Sequence, residues 1–428
     1  MRRIGVREEI KSGITDVIKE FNYKVPAYAN RLPYMLGGLA FVCIIVLALS
    51  GMYMVLFYVP TPQLAYSSIY NFITKVPFGD FIRSIHFWTA QIVILILVLH
   101  IGRVIVSGSY KGKRLAQYLT GVLLLAVMLI IEFAGEILAL DQQAVDGFIR
   151  IQEIAAFFGI NNLQLSSIIG PLLVSHISIL IVILIAILVV HLTLVDRHGF
   201  SPDPKKLNDK TRITTGEGNS DIFMHFRRLA GFGCILIAII ATLAVVSPAP
   251  LGYPGVYDPT VMIARPDLSI FYPADIEQTL FGNIGMLIGP AALFIALILL
   301  PFLDRSPYIH WRRRKWVIFY AIAILAVGVA FGALDAVGPL VGPANAGYGG
   351  AVTLGGQTAG GPSVFGNPPL YFVSNGSKAT LYGIWSTNRP MPDPMLSAGE
   401  FPVIIGGIVI FLSAGVIILR KSRLPQSN

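Results

Sequence analysis

The residues best suited to chemistry are four histidines, two in each of two strongly apolar stretches, residues 81–107 and 170–195. They are His86 and His100 in the first stretch, and His176 and His191 in the second. Fourteen helical residues advance about 1400°, within about 40° of four full turns, and fifteen return nearly as close to the starting face. Each stretch therefore predicts a helix with two imidazoles on one face. Such side chains are costly inside lipid and are functional candidates by default.

Paired histidines of this kind predict haem binding. Neutral imidazole is a common iron ligand, and a six-coordinate haem takes one axial ligand from each side of its plane. Two helices with two imidazoles each predict two bis-histidine haems, stacked across the membrane. A single intramembrane histidine is more often a hydrogen-bonded helix contact, but two matching pairs favour ligation. The haem type stays open, since b-type and a-type haems use the same ligands.

The composition indicates the kind of element that holds these histidines. Of 428 residues, 55% are hydrophobic and 13% charged, and the mean hydropathy is +0.71, which indicates a polytopic membrane protein. Cys43 and Cys234 fall in apolar stretches, so neither is expected in a disulfide or as a metal ligand. Residues 1–30 lack the apolar core of a cleavable signal. Residues 4–21 have the spacing of an amphipathic helix on the membrane surface, with a solvated helix as the alternative.

Apolar stretches of about 20 residues, the length that crosses the hydrocarbon core, occur eight times. They are residues 35–59, 82–107, 117–139, 170–195, 229–248, 282–303, 315–334 and 401–419. The predicted fold class is an all-α membrane protein of eight transmembrane helices, with an N-terminal four-helix di-haem bundle and four further helices.

The chain divides into six predicted units. They are an N-terminal cytoplasmic segment (1–34), the di-haem bundle (35–200), a cytoplasmic loop (201–228), helices five to seven (229–336) with an outer loop (249–281), a Gly- and Pro-rich outer loop (337–400), and the last helix with a basic tail (401–428). Loops as long as 337–400 are usually functional or disordered. We expect it to cover the outer face or to dock a partner.

The distribution of basic residues orients the spans. Of 32 Lys and Arg residues, 26 lie on the side of the N-terminus, and the positive-inside rule then places both termini in the cytoplasm. The net charge of +9 is thus a topology signal, and no nucleic-acid partner is expected. Because spans two and four run in the same direction, His86 pairs with His176 near the outer face, and His100 pairs with His191 near the inner face.

Glycines and arginines near the histidines support the haem hypothesis. A porphyrin among helices needs positions without side chains, and two glycine pairs repeat the fourteen-residue interval, although small residues are also common at helix contacts. The pairs are Gly37 with Gly51 in span one, and Gly121 with Gly135 in span three. Arg83 and Arg103 each lie one turn from a histidine, toward the surface, where a guanidinium would bind haem propionates. For Arg103 a positive-inside anchor is the alternative.

The histidines, glycine pairs and Arg83 together resemble cytochrome b of the quinol:cytochrome c oxidoreductase and b6f class, over essentially the whole chain. Three segments are similar to family segments: HIGRVIVSGSY (100–110) after the second-span ligand, DPTVMIARPDLS (258–269) in the outer loop, and PFLDRS (301–306) after the sixth span. The fifteen-residue interval in span four is similar to the b6-type pattern, whereas mitochondrial members use fourteen.

The resemblance implies roles and partners. His86 with His176 would bind the low-potential haem, and His100 with His191 the high-potential haem. In the family, quinol is oxidised at the outer side; one electron passes to a Rieske iron-sulfur protein and the other crosses through both haems to a quinone. The implied setting is a prokaryotic plasma membrane, in a dimeric, lipid-embedded complex with the Rieske protein and cytochrome or terminal oxidase subunits.

The outer quinol pocket departs from the family pattern. The family's Pro-Glu-Trp-Tyr is PDLS at 266–269, which keeps a carboxylate, Asp267, and loses both aromatics; its Pro-Trp-Gly-Gln is ALDQ at 139–142. Quinol oxidation releases protons, so the pocket needs an acceptor within hydrogen-bond reach. Asp267 and Glu136 are the predicted acceptors, with Glu132 nearby, and a loop cap is the alternative role for Asp267.

Four inner-side residues carry weaker predictions. His198, Asp221 and His225 would protonate a reduced quinone, with a solvated loop as the simpler interpretation, and His310 is predicted at the membrane interface.

Two other functions fit the same histidines. A di-haem membrane anchor of a quinone-linked dehydrogenase needs fewer spans, and the PFLDRS segment argues against it. A non-haem transporter would use the histidines as polar helix contacts and would have no haem absorbance.

Overall fold

The computed structural model describes residues 24–161, 163–201, 220–251, 285–337, 352–354, 357–359, 370–375, 378–383 and 399–422. In chain order, its helices are α1 (Leu32–Val55), α2 (Ala65–Lys75), α3 (Gly79–Val106), α4 (Leu115–Ile137), α5 (Gln142–Phe157), α6 (Leu165–Val174), α7 (Leu180–His198), α8 (Ile222–Val246), α9 (Gly285–Leu303), α10 (Lys315–Val337) and α11 (Glu400–Lys421). A π-helical turn, Ser175–Ile179, joins α6 to α7 into one continuous rod. The helix predicted over 4–21 lies outside the described residues.

Within the described ranges, six helices are long and apolar enough to cross a membrane: α1, α3, α4, the α6–α7 rod, α8 and α11. Two shorter apolar helices, Ile288–Leu303 and Lys315–Ala326, belong to α9 and α10. The chain is therefore a mostly helical integral membrane protein, as its composition predicts. The helix boundaries follow local chemistry: α1 has Pro33 in its first turn, where an N–H would have no intrahelical partner.

The first four spans pack as two close pairs, α1 against α3 and α4 against α7. Between the pairs, apolar side chains from every one of these helices form a single core. Its fully or nearly buried members include Cys43 of α1, Val93 of α3, Met128 of α4, Leu184 of α7 and Ile240 of α8. Cys43 is a free thiol in this core. The C-terminal half joins the bundle through α8, which also contacts α3.

The last span, α11, packs along α8 through small residues. A Cβ built on Gly415 would lie 2.7 Å from the carbonyl oxygen of Gly231, so neither backbone has room for a side chain there, as is common between membrane helices. At the inner end, Arg228 donates to the carbonyl oxygens of Asn30 and Ser422. The guanidinium therefore ties α11 to the segment that precedes α1.

The connections between the spans contain elements that sequence reasoning did not predict. Helices α2 and α5 lie between spans, and Asp141 begins α5 by accepting a hydrogen bond from the Ala144 amide. The 337–400 stretch, predicted only as a loop, includes a four-stranded antiparallel sheet in the order β3-β4-β5-β6. Its strands are Val352–Leu354, Gln357–Ala359, Leu370–Asn375 and Lys378–Gly383. A two-residue strand pair, β1 (Lys24–Val25) with β2 (Ser220–Asp221), joins the segments before α1 and α8.

Candidate functional site: two histidine pairs

The outer histidine pair brings two helices face to face. The ring centroids of His86 on α3 and His176 in the π turn lie 6.5 Å apart, with the ring planes at 62°. A metal–imidazole bond of about 2 Å on each side of one ion, together with the ring radii, separates two ring centroids by about 6 Å. The spacing of this pair therefore fits one ion held between two nitrogens.

Hydrogen bonds set the tautomer of three of the four imidazoles. Nδ1 of His176 lies 2.9 Å from the Ile131 carbonyl oxygen, which only accepts. Nδ1 of His86 lies 2.9 Å from the Ser50 hydroxyl, and Nδ1 of His191 lies 3.0 Å from the Thr120 hydroxyl. Both hydroxyls already donate to backbone carbonyls of their own helices, so each ring is the donor. Nδ1 is then protonated and the Nε2 lone pair is left for a metal.

The fourth ring, His100, has a buried Nδ1 without a hydrogen-bond partner among the described residues. Sequence reasoning missed the hydroxyl partners of His86 and His191, although the signal was present. Ser50 directly precedes Gly51, and Thr120 directly precedes Gly121. At these two glycines, the neighbouring hydroxyl residue marks the turn at which the helix contacts an imidazole.

The π turn explains the fifteen-residue interval in span four. A π turn contains about one residue more than an α turn, so His176 and His191 are separated by the same number of turns as the fourteen-residue pair on α3. The turn contains His176 itself and lies four residues after Pro171, the proline inside α6. The extra residue therefore leaves both imidazoles on one face.

We predict that deleting Ile179, a half-exposed residue of the π turn, leaves both histidine sites functional. The deletion shortens the interval to fourteen residues, which regular α-helix accommodates. Deleting Leu95 from α3 is the matched control, because α3 has no π turn to remove and its histidines would be about 140° out of line. The measurement is the haem content of the two purified proteins, which should be retained in the Ile179 deletion and reduced in the Leu95 deletion. An equal loss of haem in both would contradict the role given to the π turn.

Each predicted glycine lies against one imidazole. A Cβ built on Gly37, Gly51, Gly121 or Gly135 would lie 3.2, 3.2, 3.3 or 2.7 Å from Cε1 of His100, His86, His191 or His176, respectively. In the structure, each absent side chain makes room for a histidine ring; contact of these glycines with a porphyrin, which the sequence predicts, stays a prediction. The fourteen-residue glycine interval therefore follows from the histidine interval.

Gly135→Ala is expected to reduce haem retention at the outer pair. The new Cβ would lie well inside the roughly 3.5–4.0 Å at which carbon atoms pack, and the His176 ring cannot yield while its Nδ1 stays bonded to Ile131. Overpacking costs about 1–3 kcal/mol. Haem-to-protein ratio and visible spectrum measure the effect, with Gly102→Ala as the control because nothing lies within 4 Å of its added Cβ. Identical spectra for the two variants would contradict the prediction.

The two predicted propionate arginines differ in their surroundings. The guanidinium of Arg103 stacks on the Tyr34 ring, 4.0 Å from its centroid, and its Nε is buried with no hydrogen-bond partner among the described residues. A buried guanidinium N–H of this kind can donate to an anionic group such as a haem propionate. Arg83 instead donates to the carbonyl oxygens of Ala249 and Pro250.

The predicted proton acceptors are only partly described. Asp267 lies outside the described residues. Glu136 is half-buried in the last turn of α4. Glu132, one turn deeper, has a carboxylate oxygen 3.5 Å from Nε2 of Gln91 on α3, which places a carboxyl group between α3 and α4.

On the inner side, a buried arginine that sequence reasoning missed caps the rod that carries His191. Arg114, 2% exposed, donates to the carbonyl oxygens of His198, Gly199 and Phe200, where the helix leaves acceptors free and its dipole favours a cation. Its Nη1, Oε1 of Gln117 and Nδ1 of His198 are buried without partners among the described residues. No sequence pattern distinguishes Arg114 from its basic neighbours.

The other inner-side candidates have local roles in the structure. Asp221 accepts a hydrogen bond from the Phe223 amide and begins α8. His225 packs against the ring of Phe200, and its Nδ1 is buried without a partner in the described chain. His310 stacks on Trp311 and accepts from the Arg312 amide.

Fold and site together define a helical membrane protein with four histidines on two spans, three of which leave Nε2 available for a metal. The residues fit a haem: three rings expose Nε2, the outer centroid spacing suits one ion, and Arg103 has a buried unpartnered N–H. The profile of the family described as cytochrome b/b6/petB matches residues 21–199.

Known relatives agree with this class. The chain is 31% identical over 217 residues to cytochrome b6 of Heliobacterium modesticaldum, an alignment that covers 46% of this chain and 98% of the relative. It is 36% identical over 129 residues to the menaquinol:cytochrome c reductase cytochrome b subunit of Bacillus subtilis, covering 29% of this chain and 58% of the relative, less than two thirds of its length. The chain belongs to the cytochrome b family, and is an electron-transport oxidoreductase subunit in the membrane.

A solved structure shares the whole fold. A chain of a "Hyperthermophilic respiratory Complex III" superimposes with a TM-score of 0.63 and 20% sequence identity, covering 98% of both chains. The likeness extends over the C-terminal half, which the family profile does not reach.

Proposed function

We propose that this chain is the cytochrome b subunit of a quinol-oxidising respiratory complex, with haems bound by His86 with His176 and by His100 with His191. The observation that carries the proposal is the outer pair, whose centroids are 6.5 Å apart with both Nδ1 atoms engaged elsewhere. When bound, two haems supply one-electron carriers at two depths of the membrane. The protein contributes ligand orientation, space beside each ring and fixed charge.

The proposed topology has eight spans, with α9 and α10 as the sixth and seventh and both termini in the cytoplasm. Quinol is oxidised at the outer side, where Glu136 and Asp267 accept its protons. The proposed partners are a Rieske protein that takes one electron from quinol, and cytochrome or terminal oxidase subunits further on, in a dimeric complex in a prokaryotic plasma membrane. The 337–400 stretch, with its β-sheet, covers the outer face or docks one of these partners.

At the inner side, a buried arginine would bind a negatively charged propionate of the inner haem. Arg103 is placed for a haem propionate, because its Nε is buried and unpartnered. Arg83 would bind a propionate of the outer haem while two of its five guanidinium N–H groups hold the carbonyl oxygens of Ala249 and Pro250. His198 and His225 remain the candidates for protonating an inner quinone.

The test is the absorbance spectrum and redox titration of the purified protein, followed by extraction and identification of its pigments. The expected result is two one-electron components with low-spin bis-histidine haem spectra. A protein without haem absorbance would refute the proposal and favour the transporter alternative. Haems without oxidation of any quinol by the assembled complex would favour the di-haem dehydrogenase anchor.

A further inference from the structure

The connection between α9 and α10 carries positive charge that no carboxylate of the described chain neutralises. Four cations have exposed side chains in this basic loop, defined as residues 304–315: Arg305, Arg312, Arg313 and Lys315. None of these side chains forms a hydrogen bond or an ion pair with another described residue. The one acidic residue of the loop, Asp304, is buried and already bound by Lys111 and Arg314. The exposed charge is therefore available to an anion from outside the chain.

Buried contacts hold the basic loop at the edge of the membrane. Arg314, 2% exposed, donates to the carbonyl oxygens of Ile105 and Val106, where α3 ends. Its Nε donates to the Ile309 carbonyl oxygen within the loop. Because α3 is long and apolar enough to cross a membrane, the loop is fixed at the level where lipid headgroups lie.

Exposed aromatic rings accompany the cations. The side chains of Trp311 and Trp316 are 43% and 84% exposed. Cζ of Arg312 lies over the Trp311 ring, 5.3 Å from its centroid. Cζ of Arg313 lies over the Tyr308 ring, at 5.4 Å. A guanidinium stacked on a ring keeps the N–H groups at its edge for a phosphate, and exposed indoles are typical of the membrane interface.

The charges of the basic loop lie at the unfavourable end of a helix. Helix α10 begins at Lys315, and its first turn contains no acidic residue. The N-terminal end of a helix dipole is positive, so it repels neighbouring cations and attracts anions. At α11 the arrangement is the opposite, because Arg420 and Lys421 lie in the last turn, where the dipole favours cations. An external anion would thus stabilise the start of α10, whereas the end of α11 has no such requirement.

We propose that the basic loop is a binding site for an anionic phospholipid. Arg312 and Arg313 bind the phosphodiester of the lipid, and the indoles of Trp311 and Trp316 contact the region between its headgroup and its acyl chains. A lipid fits better than free phosphate, because only a lipid would also cover the exposed apolar surface of the two rings. The inference does not depend on haem binding and goes beyond the proposed function.

The test measures quenching of tryptophan fluorescence by brominated lipids, with the full chain and its copurifying subunits in nanodiscs. Brominated phosphatidylglycerol, which is anionic, is compared with brominated phosphatidylcholine, which is zwitterionic, at equal mole fractions. The wild type should be quenched more strongly by the anionic lipid. In the double variant Arg312→Gln with Arg313→Gln, the relative affinity for the anionic lipid should fall at least about fivefold, the effect of about one cation at a charged membrane surface. Trp311→Phe with Trp316→Phe should remove the preferential quenching.

The matched control is Arg420→Gln with Lys421→Gln, which also removes two exposed cations. These residues lie at the same end of the bundle, because Arg228 joins the end of α11 to the start of α1 and Arg103, near the end of α3, stacks on Tyr34. The control should keep the preference for the anionic lipid. An equal fall in both double variants would show a general effect of surface charge and overturn the proposal, as would equal quenching of the wild type by the two lipids. Quenching that is unchanged without the two indoles would show that the loop is covered by a protein partner instead of lipid, which also overturns it.

Discussion

Replacing His176 with alanine is expected to remove one haem and leave the other, so that the α-band absorbance per protein falls by about half. His86→Ala should give the same product, because the two rings, 6.5 Å apart, would hold one ion between them. His100→Ala and His191→Ala should remove the other haem. Fourteen helical residues rise about 21 Å, so the two sites lie far enough apart to fail independently.

The measurement is a redox titration monitored in the visible spectrum. His86→Ala and His176→Ala should lose the same component, and His100→Ala and His191→Ala the remaining one. His310→Ala is the control, since that ring stacks on Trp311 outside the membrane spans and its loss should leave both components. If the variants grouped by helix instead, with His86 and His100 alike, the pairing would be wrong.

Replacing Asp304 with alanine is expected to destabilise the protein by about 3–5 kcal/mol, the usual cost of removing one partner of a buried ion pair. One oxygen of Asp304 lies 2.8 Å from Lys111 Nζ and 3.2 Å from Arg314 Nη1, and it accepts from the Tyr110 hydroxyl. Lys111 is 8% exposed and Arg314 2%. Without the carboxylate, two buried cations face each other.

The pH dependence of this variant has a defined sign. Burial lowers the pKa of Lys111, and the hydrogen bond and charge of Asp304 oppose that shift. Removing Asp304 therefore lowers the pKa further, and the unfolded chain binds a proton that the folded variant releases. Stability then rises with pH, so the deficit of Asp304→Ala should shrink as pH increases toward the usual range of lysine.

Thermal unfolding in detergent at several pH values measures both effects. The double variant Asp304→Ala with Lys111→Met should be more stable than Asp304→Ala alone, because it removes one of the unpaired cations. Asp221→Ala is the control for loss of a carboxylate: Asp221 is exposed and caps α8, which is worth about 1 kcal/mol. A loss no larger for Asp304 than for Asp221 would show that the buried cluster contributes little.

Apolar stretches predicted the helices, because a membrane helix must be apolar along its whole length and its few polar residues are then easy to identify. The family was predicted from the resemblance of the histidines, the glycine pairs and Arg83 to cytochrome b. The cytochrome b resemblance, the membrane location and the mostly helical fold are confirmed by relatives and structure. Each of the four glycines lies beside one of the four histidines, and their contact with a porphyrin stays a prediction. The haem ligands themselves stay a prediction.

Other features depend on contacts between distant segments and leave no periodic pattern. Arg83 was predicted to bind a propionate because of its spacing to His86. Its hydrogen bonds to Ala249 and Pro250 could not be predicted, since these residues lie 166 and 167 positions later in the sequence. The sequence shows that the histidine interval is one residue longer in span four than in span two. It does not indicate that a π turn accommodates the extra residue, or where that turn lies. The strands β3 to β6 lie in a Gly- and Pro-rich stretch whose composition resembles a loop.

The buried cluster of Tyr110, Lys111, Asp304 and Arg314 holds the two halves of the chain together through side-chain contacts. Besides Asp304, Arg314 donates to the carbonyl oxygens of Ile105 and Val106, where α3 ends, and Lys111 donates to Ser306. These bonds join the first half of the chain to the second without involving residues 202–219. Two polypeptides divided in that interval would retain the same mutual contacts, so a gene split there would still encode subunits that assemble on one another.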